Sequence, residues 1–152
     1  MEQKVLVVDD ELAIRELLHD ALTEAGYEVI TARSGKEAIE EFRTKKPDLV
    51  LLDIMMPELD GFQTCEILRK DSNNASLPII MLTAKDRESD IVQALQLGAD
   101  DYIIKPVDAK ELLNKIDNLL SMAKTGMLPS QLYFEKLESE QKANKEKQED
   151  NH

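Results

Sequence analysis

Leu49-Val50-Leu51-Leu52-Asp53-Ile54-Met55-Met56-Pro57-Glu58-Leu59-Asp60-Gly61 is the stretch on which the reading of this chain turns. Four apolar residues run without alternation into a single carboxylate, the pattern of a strand buried on both faces of a parallel sheet. Asp53 then stands at the C-terminal mouth of that strand, the edge where open α/β sheets bind their ligands. Pro57 and Gly61 turn the chain away behind it. An acid that merely ends a strand is common, so the stretch alone leaves its role open.

Working outward, the same design repeats. Val5-Leu6-Val7-Val8 is a second apolar run ending in acid, Asp9-Asp10-Glu11. From Leu12 the period becomes helical, with Leu12, Ile14, Leu17, Leu18, Ala21, Leu22 and Ala25 in an apolar stripe closed by Gly26. Tyr27-Glu28-Val29-Ile30 reads as a short strand. Ser34 and Glu37 form a capping-box pattern for the helix carrying Ala38, Ile39 and Phe42, which Pro47 bars from continuing. Downstream of the central strand, Asp60 and Gln63 make another cap, opening a helix with Phe62, Cys65, Ile67 and Leu68. The polar run Asp71-Ser72-Asn73-Asn74 reads as a loop. Pro78-Ile79-Ile80-Met81-Leu82 is a fourth buried strand delivering Thr83, and a helix through Ile91, Val92, Ala94, Leu95 and Leu97 ends at Gly98. Asp101-Tyr102-Ile103-Ile104 is the fifth strand, ending at Lys105-Pro106. Asp108 caps a last amphipathic helix bearing Leu112, Leu113, Ile116, Leu119 and Leu120.

Strict alternation of strand and helix predicts an α/β fold with a parallel, doubly wound sheet and right-handed crossovers. The flavodoxin-like (βα)5 strand order 2-1-3-4-5 is expected, with a C-terminal helical or disordered tail. The glycine-rich turn of dinucleotide-binding domains is absent after the first strand. We divide the chain into a folded unit, residues 1–122, and a charged tail, residues 123–152. Pro129-Ser130 starts a short helix in that tail, and the stretch from Glu138 onward reads as frayed helix or disorder.

With 31 acidic and 19 basic side chains, the net charge is −12. Of these, 25 acids and 14 bases fall in residues 1–122, so the acidity belongs to the folded unit. Such a surface argues against direct binding to nucleic acid. No apolar run reaches the ~18 residues of a membrane span. The start, Met1-Glu2-Gln3-Lys4, is not that of a signal peptide. The single cysteine, Cys65, suits a reducing, cytoplasmic setting.

A parallel sheet collects its strand ends on one edge, here Asp9, Asp10, Asp53, Thr83 and Lys105. In the order 2-1-3-4-5 the first and third strands are neighbours, which brings the three aspartates together. Clustered carboxylates repel and need a cation. Mg²⁺ fits, because it uses one or two carboxylates and keeps oxygens for a substrate. Asp53 can then attack phosphorus, with Lys105 and Thr83 pairing to phosphoryl oxygens. Taken singly, Asp9-Asp10 could be a helix cap, Thr83 a strand-end residue and Lys105 a solvated loop lysine. Their coincidence at matching strand ends favours a site.

On these residues the chain resembles the receiver domain of two-component response regulators. The matches are Val7-Val8-Asp9-Asp10-Glu11, Leu51 to Gly61 around Asp53, Leu82-Thr83-Ala84, and Gly98-Ala99-Asp100-Asp101-Tyr102 with Lys105-Pro106, over roughly residues 4–121. The resemblance implies that Asp53 accepts a phosphoryl group from a sensor histidine kinase or a histidine phosphotransfer protein. It implies Mg²⁺ on Asp9, Asp10, Asp53 and the backbone carbonyl of Met55. It further implies a switch in which Thr83 and Tyr102 move together, altering the surface of the fourth helix, fifth strand and fifth helix to control a protein partner. Such a domain is a phosphoacceptor with no turnover on an external substrate. Asp100, Asp101 and Lys115 fit the charge pattern by which some regulators pair through that surface, whereas Ile91, Gln96 and Asp117 depart from it. Two alternatives stand beside this reading. One is a fragment of a longer regulator whose output domain lies elsewhere. The other is a hydrolase of the haloacid dehalogenase type, which needs an acid where Met55 stands.

Overall fold

The structure, a computed structural model, describes residues 2–70, 75–84, 87 and 89–150. The loop expected at Asp71 to Asn74 lies outside the described residues. Elements follow in the order β1 (Lys4–Val8), α1 (Leu12–Glu24), β2 (Glu28–Ala32), α2 (Gly35–Lys45), β3 (Leu49–Asp53), α3 (Gly61–Lys70), β4 (Ile79–Thr83), α4 (Asp90–Gln96), β5 (Asp101–Ile104), α5 (Ala109–Lys124) and α6 (Pro129–Asp150). The strands form one parallel sheet in the order β2-β1-β3-β4-β5, as the alternation predicts. The register sets Val8 beside Leu52 and Leu82 beside Asp53, which aligns the C-terminal ends along one edge.

Successive strand residues face opposite sides, and both sides are dry. Leu6, Val8, Val50, Leu52, Ile79 and Met81 face α2, α3 and α4, through Ala38, Cys65, Leu68 and Ala94. Val5, Val7, Leu49, Leu51, Ile80, Leu82 and Ile103 face α1 and α5, through Leu18, Leu22, Leu112, Ile116 and Leu119. This double burial explains why β1, β3 and β4 read as continuous apolar runs. The helix faces are narrower than their sequence stripes. Leu12 and Leu17 of α1 and Val92 of α4 are exposed, because only one side of each helix meets the sheet.

The caps form where the sequence places them. Ser34 Oγ accepts the Glu37 N–H. Asp60 and Gln63 exchange bonds reciprocally, at 2.9 Å from the Gln63 N–H to Asp60 Oδ1 and 3.0 Å from the Asp60 N–H to Gln63 Oε1. Asp108 accepts the Lys110 and Glu111 N–H groups.

The tail departs most from expectation. Thr125 ends α5, and Gly126, at φ +70°, reverses the chain with the Met127 N–H on the Met122 carbonyl. A left-handed residue at this place is the usual helix stop, and glycine meets it without a Cβ penalty. Leu128 is then buried against the α1/α5 side of the core, and a helix of 22 residues follows, far longer than the short one expected at Pro129-Ser130. Its start is fixed by a buried network. Asp100 Oδ1 accepts the Ser130 N–H at 2.9 Å, and Asp100 Oδ2 accepts Arg69 Nη2 at 2.8 Å and the Ile79 N–H at 3.0 Å. Arg69 Nη2 also donates to Ser130 Oγ at 3.1 Å, and its Nε to the Gly98 carbonyl at 2.8 Å. Asp100, 5 % exposed, is therefore not the surface pairing charge that the sequence pattern suggests. Asp101 is already engaged by Lys115, 3.1 Å away in the same chain.

Candidate functional site

The C-terminal ends of β1, β3, β4 and β5 supply the site. Asp9 follows β1 and is fully buried, Asp10 is exposed, and Asp53 ends β3 at 4 % exposure. One carboxylate oxygen from each lies within 4.8 Å of the others. Lys105, one residue past β5, is two strands from β3, about 10 Å at the usual strand spacing. Its long stem spans that gap and sets Nζ 2.8 Å from Asp9 Oδ2 and 3.4 Å from Asp53 Oδ1. A cis peptide joins it to Pro106, and its N–H donates to the Thr83 carbonyl at 2.7 Å.

The floor holds Asp53 rigidly. The Ile54 N–H bonds the Leu82 carbonyl at 3.1 Å and the Gly61 N–H the Ile54 carbonyl at 2.8 Å, folding the β3–α3 loop back on the strand. A Cβ at residue 61 would come within 2.3 Å of the Asp53 carbonyl oxygen, so only glycine fits behind the acid. Asp9 is held likewise. Its Oδ1 accepts the Glu11 N–H at 2.9 Å and its carbonyl accepts Arg15 Nη1 at 2.8 Å. Asp9 does not cap α1: the N-cap is Glu11, without a side-chain cap bond, and Asp9 engages only the N–H of that residue.

Electrostatics leave the site short of positive charge. Burial, then the neighbouring Asp9 carboxylate, push the Asp53 pKa up to about 7, against the pull of Lys105. Burial also opposes the Lys105 charge, yet its bonds to Asp9 and Asp53 hold it above the ordinary lysine range. Three carboxylates face one ammonium, and Asp9 Oδ2 receives no well-aligned hydrogen bond. This oxygen-rich donor set fits a hard divalent cation.

Thr83 ends β4, buried, with its hydroxyl donating to the Ala84 and Arg87 carbonyls at 3.3 and 3.4 Å. Among the described residues no hydrogen bond joins it to Asp53. Tyr102 is half-buried on β5 with its ring against the α2/α3/α4 side of the core, and Lys115 Nζ lies 4.8 Å above it. The structure therefore gathers Asp9, Asp10, Asp53 and Lys105 into one cluster, with Thr83 beside it and Tyr102 on the next strand. Met55 lies on the rim with its side chain exposed. Arg87 was not anticipated. Its Nη2 meets Met55 Sδ at 3.0 Å and its Nε meets Asp90 Oδ2 at 2.9 Å, tying the loops after β3 and β4 across the mouth. Nothing in the local sequence marks that pairing, since the two residues are 32 apart.

Fold and site define a class: a doubly wound α/β domain with a buried carboxylate at its switch point, flanked by two further aspartates and one lysine. The response regulator receiver domain family matches residues 5–117, and the chain belongs to it. It is 50 % identical over 119 residues to the probable transcriptional regulator ycf27 of Cyanophora paradoxa, covering 78 % of this chain and 48 % of that one. It is 43 % identical over 140 residues to the alkaline phosphatase synthesis transcriptional regulatory protein PhoP of Bacillus subtilis (strain 168), covering 92 % of this chain and 58 % of that one. The chain spans about half the length of the curated relatives it matches. Among solved structures, a putative response regulator from Chloroflexus aurantiacus superposes with a TM-score of 0.77 at 36 % identity, over 80 % of this chain and 99 % of that one. The chemotaxis protein CheY4 of Vibrio cholerae gives 0.74 at 32 % identity, over 78 % and 99 %.

Proposed function

We propose that this chain is a phosphorylation-dependent switch whose acceptor is Asp53. The observation that carries this reading is the buried Asp53 carboxylate, with Lys105 Nζ at 3.4 Å and two further aspartates beside it. Asp9, Asp10, Asp53 and the Met55 carbonyl would hold Mg²⁺, which when bound neutralises charge on the phosphoryl oxygens. The donor is a phosphohistidine on a sensor kinase or phosphotransfer protein. An Asp53 oxygen forms a bond to phosphorus as the P–N bond breaks, and its electron pair returns to the imidazole. Lys105 pairs with one phosphoryl oxygen. Thr83 gives up its bonds to Ala84 and Arg87 to donate to another, and Tyr102 turns inward behind it. These movements favour one of two surfaces of α4, β5 and α5, a population shift driven by close to two added negative charges.

The domain acts as a regulator, with phosphoryl acceptance and loss as its only chemistry. A dehalogenase-type hydrolase is not favoured, because Met55 stands where that chemistry needs an acid. Residues 1–122 form the switch, in the cytoplasm, and residues 123–152 carry its signal onward to a protein partner. The relatives' names specify transcriptional regulation, and the acidic composition of this chain argues against direct contact with nucleic acid by these residues.

Intact mass after incubation with acetyl phosphate and Mg²⁺ tests the reading. Wild type should gain about 80 Da, one phosphoryl group, and Asp53→Ala none. No adduct on wild type, or an adduct retained by the variant, would refute it.

A further inference from the structure

A cleft of about 620 Å³ opens at the opposite edge of the sheet, beneath the N-terminal ends of β1, β3 and β4. Its floor is apolar: Phe42 and Leu77 come from one side of the core and Leu120 from the other. Its rim carries Arg43 and Lys46 from the end of α2 and Lys124 from the end of α5. In a chain with 12 more acids than bases, none of these three cations has an acid within 4.0 Å among the described residues. The lining also holds one acid, Asp48, whose Oδ2 accepts the Lys4 N–H at 2.8 Å. Basic residues at helix ends compensate the helix dipole. That effect does not require three of them, from two helices, to converge over one apolar floor.

We propose that this cleft is a binding site for a small organic anion with a flat apolar body. The body would lie on Phe42, Leu77 and Leu120, and the acidic head would pair with Arg43, Lys46 and Lys124. The volume falls within the 300–1,000 Å³ typical of small-molecule sites, about. The mix of a broad apolar wall and a few converging charges is also theirs. Such a ligand bridges α2 and α5 at the edge away from Asp53, so its binding does not depend on the phosphoacceptor.

Fluorescence titration of the full chain with anilinonaphthalene sulfonate tests the site. Wild type and Asp53→Ala should each show one saturable site of equal affinity, weakening as salt is raised. The triple variant R43Q/K46Q/K124Q, all exposed positions, should melt with wild type and bind about tenfold more weakly, as loss of three solvent-screened surface charge contacts implies. Backbone amide shifts on titration should concentrate at Arg43, Lys46, Leu77 and Ala123. Absence of saturable binding, unchanged affinity in the triple variant, or shifts centred instead on Tyr133 and Phe134 of α6 would overturn the proposal.

Discussion

At Asp53 a buried carboxylate faces a second one, Asp9, and shares with it the single ammonium of Lys105. The sheet leaves no alternative, since β1 and β3 are neighbours and both end in acid. The price is an ionisation held off until about pH 7 without metal. The folded value lies above the unfolded one, near 4. The metal-free site therefore contributes most to stability below about pH 4 and progressively loses that contribution as pH rises through about 7. Asp53→Asn removes the charge with little change of shape. In chelator at pH 8 it should be more stable than wild type by on the order of 1–3 kcal/mol, with the gap closing near pH 4. Mg²⁺ should raise the melting temperature of wild type and leave that of the variant nearly unchanged. A variant no more stable than wild type at pH 8 would contradict this account.

Among the elements, the β4–β5–α3 corner shows where local pattern stops being informative. Asp100 sits in Gly98-Ala99-Asp100-Asp101-Tyr102, next to an acid that is half-exposed, and the two read alike. One residue along a strand start inverts the side chain, and Asp100 points inward to Arg69, the Ile79 N–H and Ser130. Removing one member leaves the other charge buried. Asp100→Ala should cost about 3–5 kcal/mol in denaturant unfolding, and Arg69→Ala a similar amount. The double variant should cost clearly less than the two summed. Additive losses would mean that the pair does not act as a unit. Pro129-Ser130 marks a helix start in the sequence, but nothing local signals that Ser130 bonds Asp100 and Arg69.

For the molecule as a whole, the strand order, the four-residue cluster of Asp9, Asp10, Asp53 and Lys105, and the capping residues were legible, because each follows from periodicity and from where strand ends must meet. Arg87 on Met55, the Asp100 network and the burial of Leu128 were not, because they depend on contacts between distant parts of the chain. The tail is helical, one of the two forms expected, but the length of α6 was not legible for a related reason. Its outer part is polar all round, so nothing but its own propensity holds it, while its foot is tied by Ser130 and Leu128. Hydrogen exchange should therefore find amides near 132–136 protected and those from 141 onward exchanging nearly as free peptide. Uniform protection along α6 would mean that something else supports its far half.

That tether has a mechanical side. A 22-residue helix is about 33 Å long, and it is clamped at one end to the starts of β4 and β5, strands whose other ends carry Thr83 and lead to Lys105. A tilt of about 5° at the clamp sweeps the tip through roughly 3 Å at that length. Whatever rides on the tip would feel a sub-ångström adjustment of these strands as a displacement close to the width of an atom.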